Sequence, residues 1–254
     1  MVPGAKRTST CAPMTVFCDF DGPILDVSER YYQTYLLALA DVQADCHAQG
    51  TALPIHQLDK QQFWHMKQNR VPDLEIAMRS GLPAEYFDAF LQRVTHIVNQ
   101  PALLHRDTLQ PGVRWALSLL HAQGAQLFLV TLRCQQQAEQ ILQSYGLARL
   151  FTDIRGTHDK DAAYHNQAEQ KNALLMQVMA DYGISPNAHA WMIGDTEADV
   201  LAGQANHIRT IAVTSGIRSQ TYLNRFQPTR IHHDLLSAAH YLVYQTEAFP
   251  VLVG

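Results

Sequence analysis

The sequence predicts an α/β fold in which a parallel sheet is interrupted by an all-helical insertion. Three observations carry that prediction. A short β-branched and aromatic run near the N-terminus reads as a buried strand. A long stretch of helical periodicity, residues 28–109, follows with almost no strand signal. Strands and helices then alternate to the end of the chain, which implies right-handed crossovers and a Rossmann-like parallel sheet.

The opening MVPGAKRTSTCAP has charges and prolines but no apolar run, so residues 1–13 are expected to form a flexible arm. Residues 15–20 (TVFCDF) form the first strand. Ser28 is placed to cap a helix through YYQTYLLALADVQADCHAQ, with Gly50 as its stop. Further helices are expected at 57–69, 72–79 and 83–98, with Pro72 and Pro83 suited to first helical turns. After Pro111-Gly112 the pattern changes. A helix (VRWALSLLHAQ) ends at Gly124, and AQLFLVT follows as a buried strand. Next come a helix at 135–145, a short strand at 150–154 and a helix at 168–182. HAWMIGD is a strand, a helix starts after Asp195, HIRTIAVTSG is another strand, and RIH and DLLSAAHYLV close the chain as a strand and a capped helix. The expected organisation is therefore an α/β core from 14–27 and 110–254, with residues 28–109 forming a helical cap.

With 254 residues, 47% of them hydrophobic and 17% charged, the chain can bury a full core and suits a globular protein. A formal net charge of -4 offers no basic face to nucleic acid or an anionic membrane. No apolar run approaches the ~20 residues of a spanning helix. The four cysteines show no CxxC pair, so reduced thiols in a cytoplasmic protein are expected, and Cys18 should be inert in its apolar strand. The adjacent His232 and His233 would point to opposite faces of a strand and are read as structural or surface residues. Trp115 and Trp191 are placed in the core.

Ligands of open parallel sheets bind beyond the carboxyl ends of the strands. Asp19 and Asp21 follow the first strand, Thr131 closes AQLFLVT, and Asp195 closes HAWMIGD. Lys171 lies early in the helix before that last strand. Three unpaired carboxylates would repel one another and raise each other's pKa. A hard divalent cation resolves this, and oxygen ligands suit Mg2+. Along an extended chain, Asp19 and Asp21 project to one side with Phe20 opposite.

DFDGPILD, LVTLR, Lys171 and GDTEAD, in this order, resemble the four motifs of the haloacid dehalogenase superfamily. The helical insertion resembles the cap of its phosphoglycolate phosphatase-like members. The likeness runs from Thr15 to about Val243. It departs from the usual pattern at Pro23, where Thr or Val is common, and in the absence of a proline after Lys171.

The resemblance implies a phosphatase acting on a small phosphorylated metabolite, with Mg2+ as cofactor. Asp19 would be the nucleophile and form an aspartyl-phosphate. Asp21 would be the general acid and base. Magnesium would be held by Asp19, the Asp21 carbonyl and Asp195, with Asp199 supporting it directly or through water. Thr131 and the backbone around Leu132 would bind phosphoryl oxygens, and Lys171 would offset charge. Lys160, nearby in sequence, is the alternative lysine; Lys171 is preferred because it starts a helix before HAWMIGD. Dehalogenases of the superfamily lack an acid-base group at the second carboxylate, so Asp21 argues for phosphoryl transfer.

Trp64, Lys67, Arg70, Arg79 and Tyr86 are candidates for the inner face of the cap. A phosphonate-cleaving branch would need a cap lysine, and nothing marks Lys60 or Lys67 for that role. The main rival is a phosphomutase of the same superfamily. A phospho-accepting receiver or an inactive ligand-binding relative is the rival from another class, and no GxGxxG supports dinucleotide binding. The chain is expected to be a monomer or homodimer, with no nucleic-acid or membrane partner.

Overall fold

The structure is a computed structural model and describes residues 13–159, 162–185 and 189–247. The arm expected at 1–13 lies outside the described residues except for Pro13, which is exposed.

In chain order the elements are β1 (Thr15–Cys18), β2 (Leu25–Asp26), α1 (Ser28–Ala48), α2 (Lys60–Gln68), α3 (Asp73–Arg79), α4 (Phe87–Ile97), α5 (Pro101–Leu104) and β3 (Thr108–Leu109). They continue with α6 (Val113–Ala122), β4 (Gln126–Cys134), α7 (Gln135–Ser144), β5 (Asp153–Thr157), α8 (Ala162–His165) and α9 (Ala168–Asp181). The last are β6 (Ala190–Gly194), α10 (Glu197–Ala205), β7 (Arg209–Val213), α11 (Gln220–Leu223), β8 (Arg230–His232) and α12 (Leu235–Glu247). Among the described residues, no helix is long and apolar enough to cross a membrane.

Six strands form one parallel sheet in the order β5-β4-β1-β6-β7-β8. β1 is buried throughout, and period-2 alternation gives it two apolar faces. Val16 and Cys18 join Leu127, Leu129, Trp191 and Ile193 on one face, covered by α6 and α12. Phe17, Phe128 and Met192 join Leu175 and Val178 of α9 on the other, with Phe17 stacked on Phe128 at 5.4 Å. The chain leaves β1 toward β4 and β5, then returns to place β6 on the other side of β1. The sheet's switch point therefore lies where β1 and β6 end, with β4 alongside.

The helices between β2 and β3 bury their own apolar cluster, built on Tyr35, Leu39, Phe63, Ile76, Leu82, Phe90 and Val94. β2 and β3 pair antiparallel, Leu25 with Leu109 and Asp26 with Thr108, so the two ends of the insertion sit side by side. This pairing leaves no periodic pattern in the sequence because each strand is two residues long.

Several local expectations need correction. Val27 is the N-cap of α1, and Ser28 is its first residue. The Ser28 N–H instead donates to Asp26 Oδ1 at 2.8 Å. α2 starts at Lys60 because Asp59 and Gln62 form a capping box. Pro72 and Pro83 stand just before their helices, not within the first turns. The strand expected at 150–154 is β5 at Asp153–Thr157, preceded by a 3₁₀ turn at Ala148–Leu150. Leu150 and Phe151 are apolar because they pack against the core, not because they belong to a strand.

Trp115 is 77% exposed, against the expectation of a core residue. The helical stripe of α6 is filled by Val113, Ala116, Leu117 and Leu120, and residue 115 falls off it. Trp191 is buried as expected.

Candidate active site

The parallel ladder of β1 and β6 carries Asp19 and Asp195 out of the sheet side by side. The Asp19 N–H donates to the Ile193 carbonyl at 2.8 Å, one residue past the last paired position. Asp199 lies in the first turn of the helix that starts at Glu197. Its Oδ2 accepts from the Thr196 N–H (3.1 Å) and hydroxyl (2.7 Å), closing the first turn of α10. Lys171 reaches the same point from α9, with Nζ 2.7 Å from Asp19 Oδ1 and 2.8 Å from Asp199 Oδ1.

These four side chains are buried. Burial opposes the Lys171 ammonium, but Asp19 and Asp199 outweigh it and hold its pKa above the usual value. Three carboxylates face one ammonium, and the imbalance appears in the acids. Burial pushes Asp19 up to about 7; Lys171 opposes that rise and Asp199 adds to it. Asp195 is raised well above the usual carboxylate range by burial, then by Asp19 and Asp199.

The donor set fits a divalent cation. Carboxylate oxygens of Asp19, Asp195 and Asp199 lie within 4.8 Å of one another. Asp195 Oδ2 accepts from the Ile217 N–H at 2.6 Å, while its Oδ1 is buried without a hydrogen-bond partner. The backbone is shaped around this carboxylate. A Cβ at Gly216 would overlap it, as would one at Gly22, whose φ of +94° also favours glycine.

Asp19, Asp21, Thr131, Leu132, Lys171 and Asp195 all line one cleft of about 600 Å³, part of it open to solvent. Asp21 stands beside Asp19 at this cleft while Phe20 is buried in the core, as the alternation predicts. Thr131 does not end its strand as expected, since β4 runs on to Cys134 with a register shift after Val130. The Thr131 hydroxyl is buried and accepts from the Arg133 N–H at 3.1 Å. Lys160 lies outside the described residues.

Asp21 has partners that sequence reasoning missed. Arg30 Nη2 lies 3.0 Å from its Oδ2 and Arg133 Nε lies 2.9 Å from its Oδ1. Asp107 joins both arginines, 2.9 Å from Arg30 Nε and bonded to Arg133 Nη2. Burial tends to raise the Asp21 pKa, but Arg133 and then Arg30 outweigh it and hold the group below the usual range. Arg133 was in view as the last residue of LVTLR. Arg30 and Asp107 sit in helical sequence without any motif.

Of the five cap candidates, Lys67 and Arg70 line the cleft. Trp64 packs against Tyr31 at 6.4 Å, Arg79 pairs with Glu75 at an exposed position, and Tyr86 packs on the cap's apolar cluster. Their side chains are apolar-packing or surface groups. Tyr31, Tyr164 and Arg218 line the cleft and were not anticipated. Lys67 Nζ bonds Asp73 Oδ1 (2.8 Å), and the Tyr164 hydroxyl donates to Asp73 Oδ2 (2.6 Å), bridging α8 to the cap. Lys60 pairs with Glu29 and is not among the residues lining the cleft. Burial pushes the Cys18 thiol well up, as expected of an inert residue. Cys18, Cys46 and Cys134 are free, and Cys11 lies outside the described residues.

The family described as haloacid dehalogenase-like hydrolase matches residues 16–213. The chain is 29% identical over 140 residues to a phosphoglycolate phosphatase of Psychrobacter arcticus, covering 55% of this chain and 57% of that protein. It is 29% identical over 127 residues to the pyrophosphatase PpaX of Halalkalibacterium halodurans, covering 49% and 56%. The matched region thus spans little more than half the length of these relatives. Among solved structures, a haloacid dehalogenase-like family hydrolase from Streptococcus pneumoniae superposes with a TM-score of 0.66 at 20% identity, covering 90% of this chain and 98% of that one. A HAD-superfamily hydrolase of subfamily IA from Geobacter sulfurreducens gives 0.57 at 18% identity, covering 92% and 99%. At such identities the likeness speaks to the fold.

Proposed function

The chain belongs to the haloacid dehalogenase-like hydrolase family, and from that premise we propose that it is a magnesium-dependent phosphatase of small phosphate monoesters, working through an aspartyl-phosphate on Asp19. The observation that carries this reading is the convergence of Asp19, Asp195, Asp199 and Lys171 at the ends of β1 and β6, with Asp21 beside them at the cleft. Phosphatase names among the relatives support it.

A Asp19 carboxylate oxygen attacks phosphorus and forms an acyl phosphate as the P–O bond to the alcohol breaks. Lys171, already on Asp19, offsets negative charge as that bond forms. The Thr131 hydroxyl and the Leu132 backbone N–H orient the phosphoryl oxygens. Asp21 donates a proton to the departing alkoxide, then takes one from the water that attacks the intermediate, restoring Asp19 and releasing phosphate. Arg30 and Arg133 favour the carboxylate form of Asp21, the base of the second step, whereas as the acid of the first step Asp21 must carry its proton when the ester binds. Asp19, Asp195 and the Asp21 carbonyl would hold Mg2+, with Asp199 in support, and the ion would supply Lewis-acid neutralisation of phosphoryl charge.

The test is incubation with Mg2+ and a panel of phosphorylated metabolites and simple monoesters, read as inorganic phosphate. Metal-dependent release is expected. No release from any ester would sink the reading.

A further inference from the structure

The geometry points to Arg30 and Asp107 as positioning residues that fix the Asp21 carboxylate for proton transfer, acting from the two ends of the helical insertion. This rests on the phosphatase reading above.

Arg30 lies in the first turns of α1, just after β2, and Asp107 immediately precedes β3. The pairing of β2 with β3 holds these two chain segments together, although the residues are 77 apart in sequence. Arg30 grips Asp21 directly (3.0 Å) and Asp107 through Nε (2.9 Å). Its Nη1 also donates to the Val98 carbonyl and to Asn99 Oδ1, both at 3.3 Å, so the guanidinium is anchored to the far end of the cap as well. Asp107 bonds Arg133, whose Nε reaches the other Asp21 oxygen at 2.9 Å. Both hydrogen bonds to Asp21 therefore fall on Oδ2, from Arg30 Nη2 (3.0 Å) and Arg133 Nη2 (3.1 Å). Oδ1 has Arg133 Nε nearby but accepts no hydrogen bond, and Asp107 ties the two guanidiniums to each other.

Exposure separates the members. The side chains of Arg30, Asp107 and Arg133 are 2%, 2% and 3% exposed, whereas Asp21 is 20% exposed and opens to the cleft. Three closed charges thus form the back wall of Asp21, the more exposed of the two carboxylates in this network. Burying four charges is a weak route to stability, since apolar side chains of similar volume often do as well. Two guanidiniums converging on one oxygen, themselves tied by a second carboxylate, do, however, fix the rotamer of Asp21. That is what a group needs if it must meet first a leaving oxygen and then a water. Because Arg30 and Asp107 sit at the two ends of the helical insertion, Asp21 is held by the root of the cap as well as by the sheet.

The test compares wild type, Asp21→Asn, Arg30→Lys and Asp107→Asn on p-nitrophenyl phosphate and on an alkyl phosphate, with Mg2+. A nitrophenolate leaves without a proton and an alkoxide does not. Arg30→Lys keeps the charge but loses the planar group that spans Asp21 and Asp107, so the alkyl ester should lose roughly tenfold or more in kcat relative to the nitrophenyl ester. KM should move by no more than about threefold. Asp107→Asn should show the same selectivity, less strongly, and both should resemble Asp21→Asn. Equal losses on the two esters, no loss, or an effect confined to KM would overturn the proposal. So would the failure of both variants to fold, judged by thermal unfolding, because the network would then be structural. If wild type cleaves neither ester, the phosphatase reading itself falls and the proposal with it. If Asp21→Asn alone lacks the selectivity, the acid-base role of Asp21 falls instead.

Discussion

Lys171 Nζ lies 2.7 Å from Asp19 Oδ1, inside the protein and at the end of the central strand. The lysine also bonds Asp199, so one ammonium ties the end of β1 to the first turn of α10. Asp19 is thereby held in a single orientation while its pKa is still raised by burial to about 7. A buried carboxylate that is fixed but poorly solvated is well suited to nucleophilic attack.

Asp19→Asn should therefore abolish turnover with the fold intact. The amide is nearly isosteric but has no free carboxylate oxygen to attack phosphorus. The expected loss in kcat is roughly a thousandfold or more. Phosphate release and the thermal unfolding midpoint check the two halves, and full activity would refute the covalent route.

Lys171→Met should lower both activity and stability. It removes the ammonium that contacts Asp19 and Asp199 and leaves three buried carboxylates facing one another. Removing one partner of a buried pair costs about 3–5 kcal/mol, and losing a charge aimed at the phosphoryl group costs roughly a hundredfold in kcat. Urea unfolding and steady-state kinetics measure these. Unchanged kcat would assign Lys171 to folding alone.

The residues legible in the sequence are those whose position follows from the sheet. Asp19 and Asp195 end strands that pair directly, and Lys171 lies in the helix leading into the second of them. Arg30 and Asp107 could not be read, because their partnership is made by tertiary closure across 77 residues and neither lies in a motif. β2 and β3 escaped for a related reason, since a two-residue strand has no periodicity to detect. The position of Trp115 in its helix suggests the core, but the buried stripe runs through 113, 116, 117 and 120 and leaves residue 115 outside it.

Metal binding should register as stability. The unfolding midpoint of wild type should rise with Mg2+, as for any ligand of the native state, with about 2.7 kcal/mol of added stability at a hundredfold excess over Kd. Asp195→Asn should remove most of that rise. Gly216→Ala should weaken it without replacing a ligand residue, because the new methyl would overlap the Asp195 carboxylate and displace it. An Mg2+ response equal to wild type in both variants would place the ion elsewhere.

Acid should loosen the bridge between cap and core at Asp73. Burial tends to raise this carboxyl, but Lys67 and Tyr164 outweigh it and hold it below its ordinary value of 3.8. The sign follows from that direction. A depressed folded pKa means the unfolded chain takes up the proton first. The stabilisation is then full above 3.8 and is lost as pH falls through the lower folded value. Lys67 itself is held below its usual value because burial outweighs the attraction of Asp73, so its effect on stability lies at alkaline pH and does not interfere. Asp73→Asn keeps an oxygen for the Tyr164 hydroxyl and loses the ion pair. Near neutral pH it should cost about 1–3 kcal/mol, and the gap from wild type in urea unfolding should narrow as pH drops below 3.8. A gap independent of pH would mean that the amide fails through packing rather than through charge. The bridge would then be a matter of shape at Tyr164, not of the Lys67 pair.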